Sequence, residues 1–103
     1  VKVHHLVEWL NLVTGWDFDQ DSFLLTGERI FNLKRLYNVR LGISRQDDII
    51  SARVLTEEKG GGAGDHLPHL GRMLSDYYVA RGWDANGIPT AETIERLGLE
   101  LLA

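Results

Sequence analysis

The sequence predicts an all-α fold: about four helices packed around one long central helix, with an irregular middle segment laid across them. Three observations predict it. Apolar residues recur at helical spacing over three separate stretches, within 3–13, 19–41 and 70–81. Glycines follow the ends of those stretches and Asp or Thr precedes the starts of others, as helix stops and caps do. The longest stretch is apolar in several directions, which is the pattern of a helix enclosed by neighbours.

The first helix is written by Val3, Leu6, Val7, Leu10 and Val13, a stripe at the spacing of one helix face. Trp9 and Leu12 widen the stripe, and His4, His5, Glu8 and Asn11 fall on the wet side. An arc this wide predicts two neighbours, or one neighbour and a further surface. If the chain is cut from a larger protein, Trp9 and Leu12 are expected to be exposed, with self-association as a possible outcome. Gly15 ends the helix in the left-handed conformation, with Trp16 expected to fold back on the last turn.

Asp17 or Asp19 caps the central helix, Asp21 adds negative charge to its first turn, and Gly42 stops it. Phe23, Ile30, Leu33, Tyr37 and Leu41 form one arc; Leu25, Leu36 and Val39 form a second; Leu24 and Phe31 form a third. Gly27, inside the helix, predicts the close approach of another backbone. Arg29 and Arg40 lie on nearly one meridian between apolar rows. A buried arginine needs an acid, and Asp47 or Asp48 is the expected partner.

From Ile43 to about Pro68 no period is sustained, and Ile49, Ile50, Val54 and Leu55 suggest short extended pieces. Gly60-Gly61-Gly62-Ala63-Gly64 reads as a poorly ordered loop; it lacks the strand, helix and lysine of a phosphate cradle. The third helix spans Leu70 to Arg81, with Leu70, Met73, Leu74, Tyr77, Tyr78 and Ala80 on one face, and Gly82-Trp83-Asp84 ends it as Gly15-Trp16-Asp17 ends the first. Asn86-Gly87 makes a turn, Thr90 caps a short last helix, and Ile94 and Leu97 point inward from it. Gly98 stops that helix, leaving Leu99, Leu101 and Leu102 as an apolar tail.

Composition narrows the function classes. With 103 residues, 44% hydrophobic, there is room for one domain and a modest core. The net charge is −4 and the 11 Lys and Arg form no run, which argues against nucleic acid or an anionic membrane surface as partner. There is no cysteine, so disulfides and thiolate-held metals or clusters are excluded. No apolar stretch approaches membrane-spanning length, and Val1-Lys2-Val3-His4-His5 is neither a signal peptide nor a methionine start, as for a piece of a longer protein.

Each candidate for chemistry meets a plainer reading. His66 and His69 have the spacing of paired metal ligands, but Pro68 interrupts the helix that would align them, and His4-His5 faces solvent. Asp47-Asp48 is read as an ion-pair partner rather than a metal or acid–base pair. Tyr77-Tyr78 belongs to a core face, and Ser22, Ser44, Ser51 and Ser75 sit in no nucleophile motif. Residues alone point to no catalytic, cofactor-binding or metal site.

Several motifs carry a resemblance. Thr14-Gly15-Trp16-Asp17-Phe18, then Gly27-Glu28-Arg29-Ile30-Phe31-Asn32-Leu33 with Arg35-Leu36-Tyr37-Asn38-Val39-Arg40, then Arg45-Gln46-Asp47-Asp48 come first. Met73-Leu74-Ser75-Asp76-Tyr77-Tyr78, Arg81-Gly82-Trp83-Asp84 and Gly87-Ile88-Pro89-Thr90 continue in the same order. Together they resemble the C-terminal helical domain of the tungsten-containing aldehyde:ferredoxin oxidoreductases, over nearly the whole chain. Two positions depart from that pattern: Ser51, where a proline is usual, and Gly71, where acids are common.

The resemblance implies that residues 1–103 are a single C-terminal domain of a larger cytoplasmic oxidoreductase, whose cofactor-binding domains lie upstream. It implies a parent that oxidises aldehydes to carboxylic acids and passes electrons to ferredoxin. The implied cofactors are a tungsten bis-pterin of the molybdopterin type and a [4Fe-4S] cluster, both held by upstream residues. This domain would form one wall of the cofactor cleft, meet the remaining domains, bind neither cofactor and be inactive alone. The alternative from the residues themselves is a stand-alone helical module that binds another protein through its apolar faces.

Overall fold

A computed structural model describes residues 1–56 and 67–102. Within them the chain forms α1 (Val3–Thr14), α2 (Gln20–Arg40), α3 (Ala52–Thr56), α4 (Leu70–Arg81) and α5 (Ala91–Arg96), with 3-10 turns at Arg45–Asp47 and Glu100–Leu102. No strand or sheet occurs among the described residues; a single bridge pairs Trp83 with Pro89. The all-α class is as the helical spacings predict.

The helix ends follow their sequence signals. Gly15 (φ 75°) terminates α1 and donates its N–H to the Asn11 carbonyl at 2.8 Å. Asp19, not Asp17, caps α2: its carboxylate accepts from the Ser22 N–H at 2.7 Å, while the Ser22 hydroxyl accepts from the Asp19 N–H. Thr90 caps α5 through the Thr93 N–H at 3.3 Å. The Gly27 position differs from expectation. Apart from its chain neighbours and its own helix, nothing among the described residues lies within 4 Å of where a Cβ would stand, so no described backbone approaches it.

Asn11 is half-buried rather than solvent-facing. Its side chain accepts from the Phe18 N–H at 3.0 Å and donates to the Phe18 carbonyl at 2.9 Å, pinning the α1–α2 loop to α1. Trp16 meets the Phe18 ring edge-on at 5.7 Å, and its backbone N–H donates to Thr14 Oγ1 in the last turn of α1 at 3.1 Å. On α1 only Val7 is buried, while Trp9 and Leu12 are 52% and 77% exposed. That exposure is the one expected of a helix whose broad apolar arc lacks a second neighbour.

The described elements leave one arc of the central helix uncovered, which corrects the expectation of an enclosed helix. Its buried residues are Asn32 and Leu36. Ile30, Leu33, Tyr37 and Leu41, which form the uncovered arc, are exposed. Leu36 joins Leu97 and Leu99 in the apolar core, with Ile94 packed against it. Leu99 therefore belongs to the core and not to a free tail: the chain reverses at Gly98 (φ 68°) and the Leu99 N–H returns to the Ile94 carbonyl at 2.9 Å. Leu101 is exposed, and the Leu102 side chain lies outside the described part.

In the middle segment Val54 and Leu55 lie in the short α3, not in extended pieces. The Gly60–Gly64 loop and His66 lie outside the described residues. The paired Gly-Trp-Asp stops share their geometry but not their surroundings. Gly15 and Gly82 both have φ of 75°, yet Trp16 is 58% exposed and Trp83 only 6%. Trp83 stacks on Phe31 at 5.9 Å and meets Tyr77 edge-on at 5.7 Å.

Candidate functional site

A cleft of about 480 Å³ opens between α2, α4 and the 48–50 segment. Its apolar wall includes Ile49, Ile50, Leu70 and Leu74, Lys34 and Asn38 line it from α2, and a polar cluster forms its base.

Arg35 is the hub of that cluster. Its Nη1 and Nη2 donate to Asp48 Oδ1 and Oδ2 at 2.9 and 2.6 Å, and its Nε donates to the Gly87 carbonyl at 2.7 Å. Its guanidinium lies 4.8 Å from the Trp83 ring centroid. Such a planar fork fixes two partners and one ring in a single geometry, which a lysine cannot do. The Tyr78 hydroxyl donates to Asp48 Oδ2, closing a triangle of Arg35, Asp48 and Tyr78.

Beside the triangle, Asn32 is fully buried at 0% exposure. Its Oδ1 accepts from Trp83 Nε1 at 2.7 Å and its Nδ2 donates to the Glu28 carbonyl at 2.9 Å. Arg45 braces the neighbouring loop: its N–H donates to the Asn86 carbonyl, and its Nη1 and Nη2 to Ala85, Gly71 and Ser75. Gly87 sits where all this converges. With φ of 77° it takes the left-handed conformation, and a Cβ there would come within 2.8 Å of Tyr78 Cζ and strike the Arg35 guanidinium. Among the described residues no buried side-chain nitrogen or oxygen lacks a partner.

Electrostatics set what the cluster can do. The Arg35 hydrogen bond, opposed by partial burial and helped by Tyr78, holds the Asp48 carboxyl below its ordinary value. Burial, with the bond to Asp48, pushes the Tyr78 hydroxyl above its ordinary value. Asp48 therefore stays ionised and Tyr78 protonated at neutral pH. Tyr78 is buried and Asp48 already accepts from both Arg35 and Tyr78. The triangle is a clasp that locks α2, α4, the 43–48 segment and the 84–88 turn together, not an acid–base pair offered to the cleft.

The sequence candidates are scattered differently from expectation. Asp48 is ion-paired, but its partner is Arg35 and not Arg29 or Arg40: Arg29 Nε donates to the Leu97 carbonyl at 2.9 Å, and both Arg29 and Arg40 are exposed. Arg29 and Arg35 both lie one turn from Asn32 but on opposite flanks of it: Arg29 meets the Leu97 carbonyl, and Arg35 is the one on the flank that faces Asp48, Gly87 and Trp83. Asp47 accepts from the Ser44 N–H at 2.9 Å, closing a 3-10 turn. His69 is exposed before α4, and His5 accepts from the Lys2 N–H and stacks on Trp9. Ser22, Ser44 and Ser75 all serve helix ends or Arg45. Arg35, Asn32 and the Trp83 N–H were missed. Their one signal was an asparagine one turn from both Arg35 and Leu36, which reads as a polar break unless a partner is known.

The donor chemistry of the chain does not fit the implied cofactors. It has no cysteine for an iron–sulfur cluster, and among the described residues no three His, Asp or Glu side chains converge as a metal site. No helix among the described residues is long and apolar enough to cross a membrane.

Comparison with known proteins places this architecture. The family profile "Aldehyde ferredoxin oxidoreductase, domains 2 & 3" matches residues 1–99. A tungsten-containing aldehyde ferredoxin oxidoreductase of Pyrococcus horikoshii is 39% identical over 95 residues, covering 90% of this chain and 16% of the relative. Its counterpart from Pyrococcus furiosus is 39% identical over 92 residues, covering 87% and 15%. Among solved structures, the active-site complex of benzoyl coenzyme A reductase in complex with 1,5-dienoyl-CoA superposes with a TM-score of 0.78 at 25% identity, covering 99% of this chain and 14% of that one. The chain thus spans about one sixth of the length of the curated relatives it matches. The match runs through the clasp itself, from Asn32 and Arg35 to Trp83 and Gly87, and on these grounds the chain belongs to the aldehyde ferredoxin oxidoreductase family.

Proposed function

We propose that residues 1–103 are the C-terminal helical domain of a cytoplasmic, tungsten-dependent aldehyde:ferredoxin oxidoreductase, and that they build one wall of its cofactor cleft. The observation that carries this reading is a family match across 1–99 to relatives some six times longer. In the parent enzyme, a tungsten bis-pterin and a [4Fe-4S] cluster supply the oxidation of an aldehyde to its acid and the onward path of electrons to ferredoxin. The residues present here do something else. Arg35, Asp48, Tyr78 and Asn32–Trp83 hold four segments of chain in one rigid arrangement, so that a wall keeps its shape while the chemistry happens elsewhere. The domain supplies no ligand to either cofactor and has no activity alone.

The fold likeness to benzoyl coenzyme A reductase supports a second reading, in which the parent reduces a coenzyme A thioester. The 39% identity to aldehyde oxidoreductases favours the first. Purification of the full-length protein tests both: stoichiometric tungsten and aldehyde-dependent reduction of ferredoxin are expected. Activity on an aryl-CoA thioester without aldehyde oxidation would transfer the reading to the second class. A native protein only as long as this chain would instead favour a helical interaction module.

A further inference from the structure

A second concavity, of about 830 Å³, lies on the opposite side of Phe31 from the cleft. It is a groove between the Trp16–Phe18 loop, the face of α2 carrying Phe23, Leu24, Gly27 and Ile30, and the end of α4 at Ala80. The charges at its edge are already engaged. Glu28 pairs with Arg96 at 2.5 Å, and the Arg81 guanidinium lies 3.9 Å from the Phe31 ring centroid. What the groove asks of an occupant is apolar surface.

Gly27 is the floor. It sits in the middle of α2 with an ordinary negative φ, so no left-handed turn requires glycine. Among the described residues nothing outside its own helix lies within 4 Å of its absent Cβ, so no close contact there requires it either. Glycine weakens a helix interior, and within these residues that weakening has no return. An open notch above glycine in an aromatic groove fits a main chain laid directly on the helix.

The groove has no partner among the described residues: Trp16 is 58%, Leu24 48% and Ile30 52% exposed, contiguous apolar surface of the kind that marks an interaction site. The relatives carry more than four fifths of their length outside the matched part, since the match covers 16% of the P. horikoshii protein. A segment on the same polypeptide meets the groove at a high effective concentration that a second copy cannot match.

We infer that the groove over Gly27 seats an apolar segment of the same polypeptide from outside residues 1–103, packed with its main chain against α2. The inference rests on the reading of the chain as part of a larger enzyme. Its test uses the full-length protein, with benzoylphenylalanine incorporated at Leu24 or at Ile30, irradiation, and mapping of the joined peptides. The expected products link the groove to a peptide of the same molecule outside 1–103. Gly27→Leu, which fills the notch, lowers their yield by at least about fivefold. Links to a second copy or to another protein, or a yield indifferent to Gly27→Leu, overturn the inference. A full-length, aldehyde-oxidising protein with no such link overturns the inference alone; a native protein of only 103 residues overturns the larger-enzyme reading beneath it.

Discussion

Arg35 and Asp48 face each other side-on, thirteen residues apart in sequence, through two parallel hydrogen bonds of 2.9 and 2.6 Å. Their side chains are only 10% and 23% exposed, and the same guanidinium holds the Gly87 carbonyl and lies over Trp83. This single contact joins α2 to the segment after it and to the turn before α5.

Removing Asp48 tests the pair. Asp48→Ala leaves Arg35 and the Tyr78 hydroxyl without their acceptor. The cost is expected to exceed the ~1 kcal/mol of an exposed pair and to approach the ~3–5 kcal/mol of a buried one. Urea denaturation of the wild-type and variant chains gives the number. A difference within error means that the pair is solvated and the clasp dispensable.

The pH dependence follows from the same contact. The Asp48 carboxyl is held below its ordinary 3.8 by Arg35, and the Glu28 carboxyl below 4.5 by Arg96. A depressed folded value stabilises above the unfolded value and is lost as pH falls through the folded one. Stability is therefore expected to fall on acidification below about 4, with Asp48 the larger contributor because Arg96 is half exposed. Asp48→Asn flattens that limb. Tyr78 acts at the other end: its raised value contributes stability below 10.0 that is lost as pH climbs through the folded value, and Tyr78→Phe removes the loss. Equilibrium melts across the two limbs check both signs.

Two glycines with nearly the same φ separate strain from collision. Gly15 (φ 75°) has nothing within 4 Å of a Cβ, and Gly15→Ala is expected to cost only the left-handed penalty of roughly 1–2 kcal/mol. Gly87 (φ 77°) faces Tyr78 and Arg35, so Gly87→Ala adds an overpacking cost of about 1–3 kcal/mol. Thermal melts of the two variants side by side should rank Gly87→Ala clearly lower; equal melting temperatures would refute the crowding at Gly87.

Trp83→Phe keeps a stacked ring on Phe31 but removes the donor to Asn32 Oδ1. An unsatisfied buried amide oxygen costs about 1–3 kcal/mol. A double-mutant cycle with Asn32→Ala is expected to show coupling well above ~0.5 kcal/mol. Additive effects would mean that the two side chains act independently.

Gly27→Ala is expected to stabilise the 103-residue chain by ~1 kcal/mol, since the site is a helix interior with open space above it. Chemical denaturation decides; a loss of stability would show that the notch is used within this chain.

Much of the fold was legible in local chemistry. The bounds of α4, the glycine stops at Gly15, Gly82 and Gly98, and the Thr90 cap are contacts between residues a few positions apart, so sequence spacing carries them directly. The motifs that resemble the oxidoreductase family lie in register along the chain and needed no coordinates. The twin Gly-Trp-Asp stops mark the limit. Both glycines adopt the same backbone angle, but burying Trp83 and exposing Trp16 depends on whether Phe31, Tyr77 and Tyr78 happen to converge there.

By itself, then, the sequence determined where α1, α2, α4 and α5 begin and end, though not the short α3, together with the all-α class and the family, because those rest on short-range geometry and on residue order. Only the tertiary structure decided which sides of α2 are covered and by what, so that Arg35, rather than Arg29 or Arg40, meets Asp48 while Arg29 meets Leu97. An α2 apolar on several arcs offers several faces of nearly equal burial energy. The selection among them falls to contacts across 51 and 52 residues, from Asn32 to Trp83 and from Arg35 to Gly87, whose directions no local period encodes.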